Sequence, residues 1–147
     1  MRLSTKGEYG VRAMAVLAYE YKNGATSLRV IAEREHLSEL YLEQLFRELK
    51  KAGLVSSIRG PKGGYMLSKP PSDITVGDVV RVLEGPLAPV DCVSEEETKD
   101  PCSKESCCLT KFVWAKLRDS MAKVLDEITF GDIIKDLSNE KLKLNDR

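Results

Sequence analysis

Apolar residues recur at intervals of three and four along the first 50 residues, which places them on single faces of α-helices. The first stripe lies within residues 6–22 and ends at Asn23 and Gly24. Ser27 is positioned to cap a short second helix, and Ser38 caps a third after a turn of about three residues. The apolar stripe of the third helix consists of Leu42, Leu45, Phe46 and Leu49. The second and third helices, with the short turn between them, are therefore predicted to form a helix-turn-helix.

A β-hairpin is predicted directly after the third helix. Two strand-like runs, residues 54–58 and 65–67, flank the segment Arg59-Gly60-Pro61-Lys62-Gly63-Gly64. Three glycines and a proline are typical of a tight, exposed turn, and this turn also carries two cations. A helix-turn-helix followed by a basic hairpin has the outline of a winged helix-turn-helix that binds DNA.

The second half begins with a helix and continues with a long aperiodic segment. Thr75 and Asp78 have the spacing of a capping box, and the helix that they predict is closed by Gly85. Residues 87–107 show no hydrophobic periodicity and predict a long loop, which is uncommon inside a compact domain and is often functional.

A long helix is predicted over residues 109–128. At about 1.5 Å per residue it extends about 30 Å, which is more than one small domain needs, so we expect its stripe to be buried in a homodimer. The stripe consists of Val113, Leu117, Met121, Val124 and Ile128. Thr129 and Asp132 then predict a short last helix that ends near Leu137.

These elements predict a mainly α-helical fold with a small β-hairpin wing, that is, a winged helix-turn-helix joined to a long dimerisation helix. We divide the chain into a DNA-binding domain (1–71), a connecting helix and loop (72–91), a cysteine-bearing loop (92–108), the dimerisation helix with a short C-terminal helix (109–137), and a polar tail (138–147).

Charge is divided unequally between the two halves of the 147-residue chain, although its formal net charge is zero. Residues 1–71 contain 12 Lys and Arg against 7 Asp and Glu, a net +5, and the remainder contains 11 against 16, a net −5. A basic half favours nucleic acid as a partner, whereas the alternative is a chance clustering of solvated charges.

Three classes of DNA contact are predicted within the basic half. Tyr41, Glu43 and Gln44 lie off the apolar stripe of the third helix and are candidates for contacts to major-groove bases. Arg59 is a candidate for insertion into a narrow minor groove. The remaining candidates, for phosphate contacts or positions in the same interface, are Arg2, Lys6, Ser38, Lys51, Gly60 and Lys62.

All four cysteines lie between residues 92 and 108, where a metal or iron-sulfur site, a redox thiol switch and disulfides are the alternatives. Disulfides are the least favoured in a cytoplasmic protein. Zinc is disfavoured because the segment lacks histidine and the two-residue cysteine spacing of zinc sites. Iron-sulfur clusters usually take four thiolates, but adjacent Cys107 and Cys108 cannot easily face one cluster. Three good ligands remain, namely Cys92, Cys102 and Cys108.

Several longer runs are more specific than this outline. They are Met1-Arg2-Leu3-Ser4-Thr5-Lys6-Gly7, Tyr41-Leu42-Glu43-Gln44-Leu45-Phe46, the run from Gly53 to Pro61 with Gly63-Gly64-Tyr65, Thr75-Val76-Gly77-Asp78-Val79, and Cys108-Leu109-Thr110 followed by Trp114. The chain resembles, on these runs, the IscR-like iron-sulfur cluster regulators of the Rrf2 family of winged helix-turn-helix transcription regulators.

The resemblance implies a homodimeric, cytoplasmic bacterial regulator that binds double-stranded operator DNA at promoters. It further implies an iron-sulfur cluster, 2Fe-2S, one per subunit, held by the three loop cysteines and controlling promoter choice. Iron-sulfur assembly proteins are the other partners that it suggests.

The fourth cluster ligand is where this chain departs from the family pattern. IscR-like proteins carry a histidine three residues beyond the last cysteine, and here that position is Lys111, a poor ligand while protonated. The resemblance to redox- and nitric-oxide-sensing relatives makes Glu8 from the partner subunit the first candidate, and Cys107 the next.

Two other functions stay open on the sequence. One is a cluster-free Rrf2-type regulator that senses thiol oxidation, a metabolite or a partner protein. The other is a cysteine-nucleophile enzyme, which is disfavoured because the sole histidine, His36, lies far upstream of the cysteines. No apolar run is long enough for a membrane span or a signal peptide, so we expect no membrane partner.

Overall fold

The computed structural model describes residues 3–95 and 108–145 and has a mainly helical architecture with one hairpin. Its regular elements are α1 (Thr5–Tyr19), α2 (Leu28–Glu35), α3 (Glu39–Lys51), β1 (Val55–Ile58), β2 (Gly64–Leu67), α4 (Val76–Glu84), α5 (Lys111–Glu127) and α6 (Phe130–Asn145). Short 3-10 turns cover Tyr21–Asn23, Pro71–Asp73 and Asp91–Val93. The predicted fold class is confirmed.

The apolar stripes predicted on the first four helices form one hydrophobic core. Helices α1 to α4 and both strands contribute to it, and Phe130 from the start of α6 is completely buried in the same cluster. The largest fully buried side chains are Met14, Leu17, Ile31, Leu42, Leu45, Phe46, Leu49, Ile74, Val79, Val80 and Phe130. The amino-terminal helices therefore share their core with α4 and with the beginning of the last helix.

Side-chain caps set the start of both helices in the helix-turn-helix. Ser27 accepts a hydrogen bond from Val30 N at 3.2 Å, and Ser38 accepts one from Tyr41 N at 3.3 Å. His36 ends α2 in the left-handed conformation, with φ of 55°. Both serine caps predicted from the sequence are confirmed, and they fix the turn that separates α2 from α3.

The hairpin is joined to the beginning of α2. Strands β1 and β2 are antiparallel, with Val55 opposite Leu67 and Ile58 opposite Gly64. Thr26 and Tyr65 exchange two backbone hydrogen bonds of 2.8 Å each across an isolated bridge. The wing is therefore fixed by backbone bonds to the residue just before the α2 cap.

Helix α4 packs closely on α1 through two glycines of α1. A Cβ at Gly10 would overlap Leu83 Cδ1, and one at Gly7 would lie 2.6 Å from Glu84 Oε1. Glu84 Oε1 also accepts hydrogen bonds from Gly7 N at 2.9 Å and from the Ser4 hydroxyl. A carboxylate from α4 thus satisfies donors at the amino terminus of α1, where an anion is favourable.

An ion pair links helix α5 to α4. Arg81 donates two hydrogen bonds to the Asp126 carboxylate, at 2.6 and 2.8 Å, and this hydrogen-bonded pairing lowers the pKa of Asp126. None of the residues of α5 is fully buried. Phe112, Val113 and Val124 are exposed, so the long helix presents apolar positions outside the fold of one subunit.

The last helix is longer than the sequence analysis predicts. Its start has reciprocal bonds between Thr129 and Asp132, at 2.9 and 3.1 Å, which confirms the predicted cap. The prediction that it ends near Leu137 is wrong, because α6 continues to Asn145. Residues 138–145 are mostly polar, which is why the sequence predicts a tail there. They nevertheless include Leu, Lys and Glu, which have high helix propensity.

Gly64→Ala is expected to detach the wing, because an added Cβ would overlap the backbone of Thr26 at a position where φ is +147°. The positive φ alone costs about 1–3 kcal/mol, and the steric overlap adds about 1–3 kcal/mol. The free energy of unfolding, measured by urea denaturation, should fall by the sum of the two terms.

Gly60→Ala is the matched control for this substitution. Gly60 lies in the same hairpin with φ of +112°, and no atom lies within 4 Å of the point that an added Cβ would occupy. It should show only the positive-φ cost of about 1–3 kcal/mol. Equal losses for the two variants would contradict the assigned role of the Thr26 contact.

Candidate nucleic-acid interface and cysteine segment

One exposed stripe runs the length of α3, opposite its buried stripe. Positions that are three, four, seven and eleven residues apart fall on one face of a helix. On α3 these exposed positions are Leu40, Glu43, Gln44, Arg47 and Lys51. The stripe is apolar at the amino end, carries an acid and an amide in the middle, and is basic at the carboxyl end.

Two predicted members of the interface also have structural contacts. Ser38 caps α3 through its side chain. Tyr41 is half-buried, its ring packs edge-on against Tyr9 at 6.1 Å, and its hydroxyl lies 3.4 Å from that of Thr5. These contacts attach the first turn of α3 to α1, so any contact of Tyr41 with a base would use only its exposed part.

The tip of the hairpin presents two of the predicted cations. Arg59 and Lys62 are exposed, and neither is in a salt bridge within residues 3–95 and 108–145. Gly63 N donates to Gly60 O at 2.9 Å, which closes the tight turn between them. The turn therefore projects unpaired positive charge away from the core.

A shallow groove lies between α3 and the wing. Lys50 Nζ donates to Ser57 Oγ at 2.6 Å, a contact that joins the carboxyl end of α3 to β1. The groove is lined by Leu28, Glu43, Arg47, Lys50, Lys51 and Tyr65. It thus continues the basic end of the α3 stripe towards the hairpin.

The remaining predicted phosphate contacts have different surroundings. Lys6 is half-exposed and forms an ion pair with Glu48 at 2.9 Å, so part of its charge is already compensated. Arg2 lies outside the described residues.

Leu40 and Arg47 share the α3 face but are not among the contact residues predicted from the sequence. The signal that would have identified them is their spacing, because both lie three or four residues from Glu43 and Gln44. Leu40 is apolar, and a leucine lacks the hydrogen-bonding groups from which base contacts are predicted.

The cysteine segment is partly within the described residues. Cys92 is half-buried in the turn Asp91–Val93, and Cys108 is half-buried just before α5 with its sulfur 3.4 Å from Thr110 Oγ1. Cys102 and Cys107 lie outside the described residues. Among the residues that are described, no three metal-ligating side chains come together.

The Cys92 turn is fixed to α5. Arg118 Nη1 donates to Val93 O at 2.8 Å, and Val93 itself is buried. Lys111 is the first residue of α5, so it follows Cys108 closely. Glu8 is exposed in the first turn of α1, next to the α1 terminus that Glu84 contacts.

Membrane insertion finds no support in the described part of the chain, none of whose helices combines the length and the apolar content needed to cross a bilayer.

Comparisons of the sequence and of the structure with known proteins lead to the same group of proteins. Residues 3–136 match the family model described as "Rrf2: Iron-dependent Transcriptional regulator". The chain is 47% identical over 133 residues to the HTH-type transcriptional regulator CymR of Bacillus subtilis, covering 90% of this chain and 89% of that protein.

Two solved structures have the same fold. The structure of CymR, titled as the global cysteine regulator of B. subtilis, has a TM-score of 0.74 and 44% identity, over 92% of this chain and 97% of that one. The structure of T. potens IscR has a TM-score of 0.74 and 47% identity, over 93% and 88%.

The relatives are named as transcriptional regulators and not as enzymes. The match covers almost the whole chain, and it includes the helix-turn-helix, the wing and the long helix. The chain therefore belongs to the Rrf2 family of DNA-binding, winged-helix transcriptional regulators.

Proposed function

We propose that this regulator binds operator DNA as a homodimer, with α3 in the major groove and the hairpin tip in the adjacent minor groove. The observation that carries this proposal is the combination of one exposed polar stripe on α3 with unpaired cations at the wing tip. The wing is held on the segment before α2 by the Thr26–Tyr65 bridge and on the end of α3 by the Lys50–Ser57 hydrogen bond. The geometry matches the docking of helix-turn-helix proteins.

Sequence discrimination would come from the middle of the α3 stripe. Gln44 can form a bidentate pair with adenine, and Glu43 can accept a hydrogen bond from cytosine while repelling phosphate. Glu43 therefore disfavours incorrect registers as well as selecting a base. The basic residues at the carboxyl end of the stripe supply affinity without sequence preference.

The exposed apolar face of α5 supports the homodimer. Val113, Met121 and Val124 repeat at helical spacing, and Val124 exposes 55% of its surface. The opposite face of α5 is directed to α4 through Asp126 and to the Cys92 turn through Arg118. A second copy of α5 would cover this stripe, and it would place two DNA-binding domains on one duplex.

We further propose that an iron-sulfur cluster on each subunit controls DNA binding. The donor set fits, because Cys92 and Cys108 are partly accessible and are positioned on either side of the chain segment that carries Cys102. The cluster would supply a redox-active inorganic centre whose presence depends on iron and oxidants. Glu8 and Cys107 are the candidates for the fourth position.

The protein residues that would transmit cluster status are those around the Cys92 turn. Arg118 ties this turn to α5, Arg81 and Asp126 tie α5 to α4, and Glu84 ties α4 to the beginning of α1. A shift of the turn would therefore be communicated to both the dimer helix and the DNA-binding core. Iron-sulfur assembly proteins find no support in the comparisons, and we do not propose them as partners.

A cluster-free thiol switch is the second candidate function. It is favoured by the high identity to a protein whose structure is titled as the global cysteine regulator, and by Lys111 in place of the family histidine. In this alternative a peroxide oxidises an accessible thiolate to a sulfenic acid, and a neighbouring cysteine thiol then condenses with it to a disulfide with loss of water.

Arg59→Ala should weaken binding to A·T-rich operators about fivefold, equivalent to about 1 kcal/mol, because narrow A·T minor grooves attract an inserted arginine. Operators can be obtained by selection from a random duplex library, and affinities measured by fluorescence anisotropy at fixed salt. Lys62→Ala is the matched control and should weaken all sequences equally. An equal effect of Arg59→Ala on every sequence would contradict minor-groove insertion and identify Arg59 as a phosphate contact.

Val124→Asp should convert the protein into a monomer, because a carboxylate would be buried in the apolar dimer interface without a partner. The mass is measured by sedimentation or light scattering. Lys123→Asp is the matched control, because Lys123 is exposed and adjacent but lies off the stripe. A Val124→Asp dimer as tight as the wild type would place the interface elsewhere.

Cys92→Ser should abolish visible absorbance, iron and acid-labile sulfide in anaerobically reconstituted protein, because it removes one thiolate ligand. Glu8→Ala should alter the spectrum, whereas Cys107→Ser should leave it unchanged if Glu8 is the fourth ligand.

A colourless wild-type protein after reconstitution would overturn the cluster proposal. The thiol switch then predicts that DNA affinity of this colourless protein falls or rises with peroxide and is restored by a reductant. DNA binding that responds to neither treatment would contradict both sensing mechanisms while leaving the regulator itself in place.

A further inference from the structure

Leu40 has an exposure that the fold does not explain. It exposes 68% of its surface, the largest fraction of any large apolar side chain within residues 3–95. It does not belong to the hydrophobic core or to the side chains packed against that core. A single exposed leucine is common on protein surfaces, so the position of Leu40 on α3, and not its exposure alone, assigns it a role.

The position of Leu40 indicates which partner. It precedes Glu43 by three residues, Gln44 by four and Arg47 by seven, and all four side chains are exposed. It lies in the first turn of α3, at the end of a recognition helix that contacts base edges in helix-turn-helix proteins. Leu40 thus shares the face on which the amide and the acid of the stripe are presented.

The first turn of α3 is held firmly. The Ser38 side chain caps the helix, and Tyr41, the next residue after Leu40, packs on Tyr9 of α1. Such support gives a contact residue a defined position, as direct readout requires. Leu40 is therefore presented by a fixed element and not by a loop.

We propose that Leu40 is a specificity-determining residue that packs against the C5 methyl group of a thymine in the major groove. This inference rests on the proposed function, in which α3 reads the duplex. Thymine is the base that offers an apolar group on the major-groove edge, where the other bases present hydrogen-bond donors and acceptors. A leucine side chain carries no polar group to satisfy, so it favours thymine and leaves the polar edges of other bases unpaired.

The test uses duplexes that differ by single methyl groups. Operators are first selected from a random library with the full-length wild-type protein. Each thymine is then replaced by deoxyuridine, which removes only the methyl, and affinities are measured by anisotropy. At one thymine position of the half-site, a single replacement should weaken binding of the wild type about fourfold, as expected for the loss of one buried methyl group. Replacements at the other thymines serve as internal controls.

Two substitutions assign this effect to Leu40. Leu40→Ala should bind thymine and deoxyuridine operators equally at the sensitive position, whereas Leu40→Met, which keeps an apolar contact, should retain most of the discrimination. Because Leu40 is outside the core, both variants should unfold at the same urea concentration as the wild type.

The outcomes separate this inference from the proposed function. If Gln44→Ala changes the selected sequence but Leu40→Ala and every deoxyuridine replacement leave affinity unchanged, Leu40 does not read thymine and this inference alone is overturned. If Gln44→Ala also leaves the selected sequence unchanged, α3 does not read the duplex and the proposed function fails with it.

Discussion

The close packing of α4 on α1 is the constraint on which the rest of the structure depends. Gly7 and Gly10 lack the side chains that would collide with Glu84 and Leu83, so the two helices approach closely enough for Glu84 to bind the amino terminus of α1. Phe130 closes the same core from the beginning of α6. The amino-terminal helices and the carboxyl-terminal helices are thereby joined through one apolar interior.

This arrangement places α4 between the surface proposed to bind DNA and the described part of the cysteine segment. On one side it contacts α1, whose partners in the core include α3, the helix proposed to read DNA. On the other side it is connected through Arg81 to Asp126 of α5, and α5 is connected through Arg118 to the Cys92 turn. In the proposed sensing mechanism, these packed and hydrogen-bonded elements would carry a change at the cysteine segment to the helix proposed to read DNA.

The surface proposed to bind DNA, formed by α3 and the wing, depends on a second and smaller set of contacts. A two-stranded hairpin is only marginally stable alone, and this one is fixed by the exchange of backbone bonds between Thr26 and Tyr65 and by the approach of Gly64 to Thr26. The Lys50–Ser57 hydrogen bond also joins β1 to the end of α3, so the wing and α3 form one surface with a defined separation. By contrast, the apolar stripe of α5 is only partly covered by its own subunit, which is the physical basis for expecting a second copy.

The sequence by itself determined the elements and their local limits. Apolar periodicity located α1 to α5, and the side-chain caps at Ser27, Ser38 and Thr75 fixed three helix starts, because both signals act over a few residues. Only the tertiary structure decided which elements share a core, that Glu84 binds the start of α1, that Tyr41 is half-buried and that Leu40 is not. These properties depend on contacts between residues far apart in the chain, for which one sequence carries no spacing rule. The length of α6 also escaped local analysis, since polar residues do not by themselves end a helix.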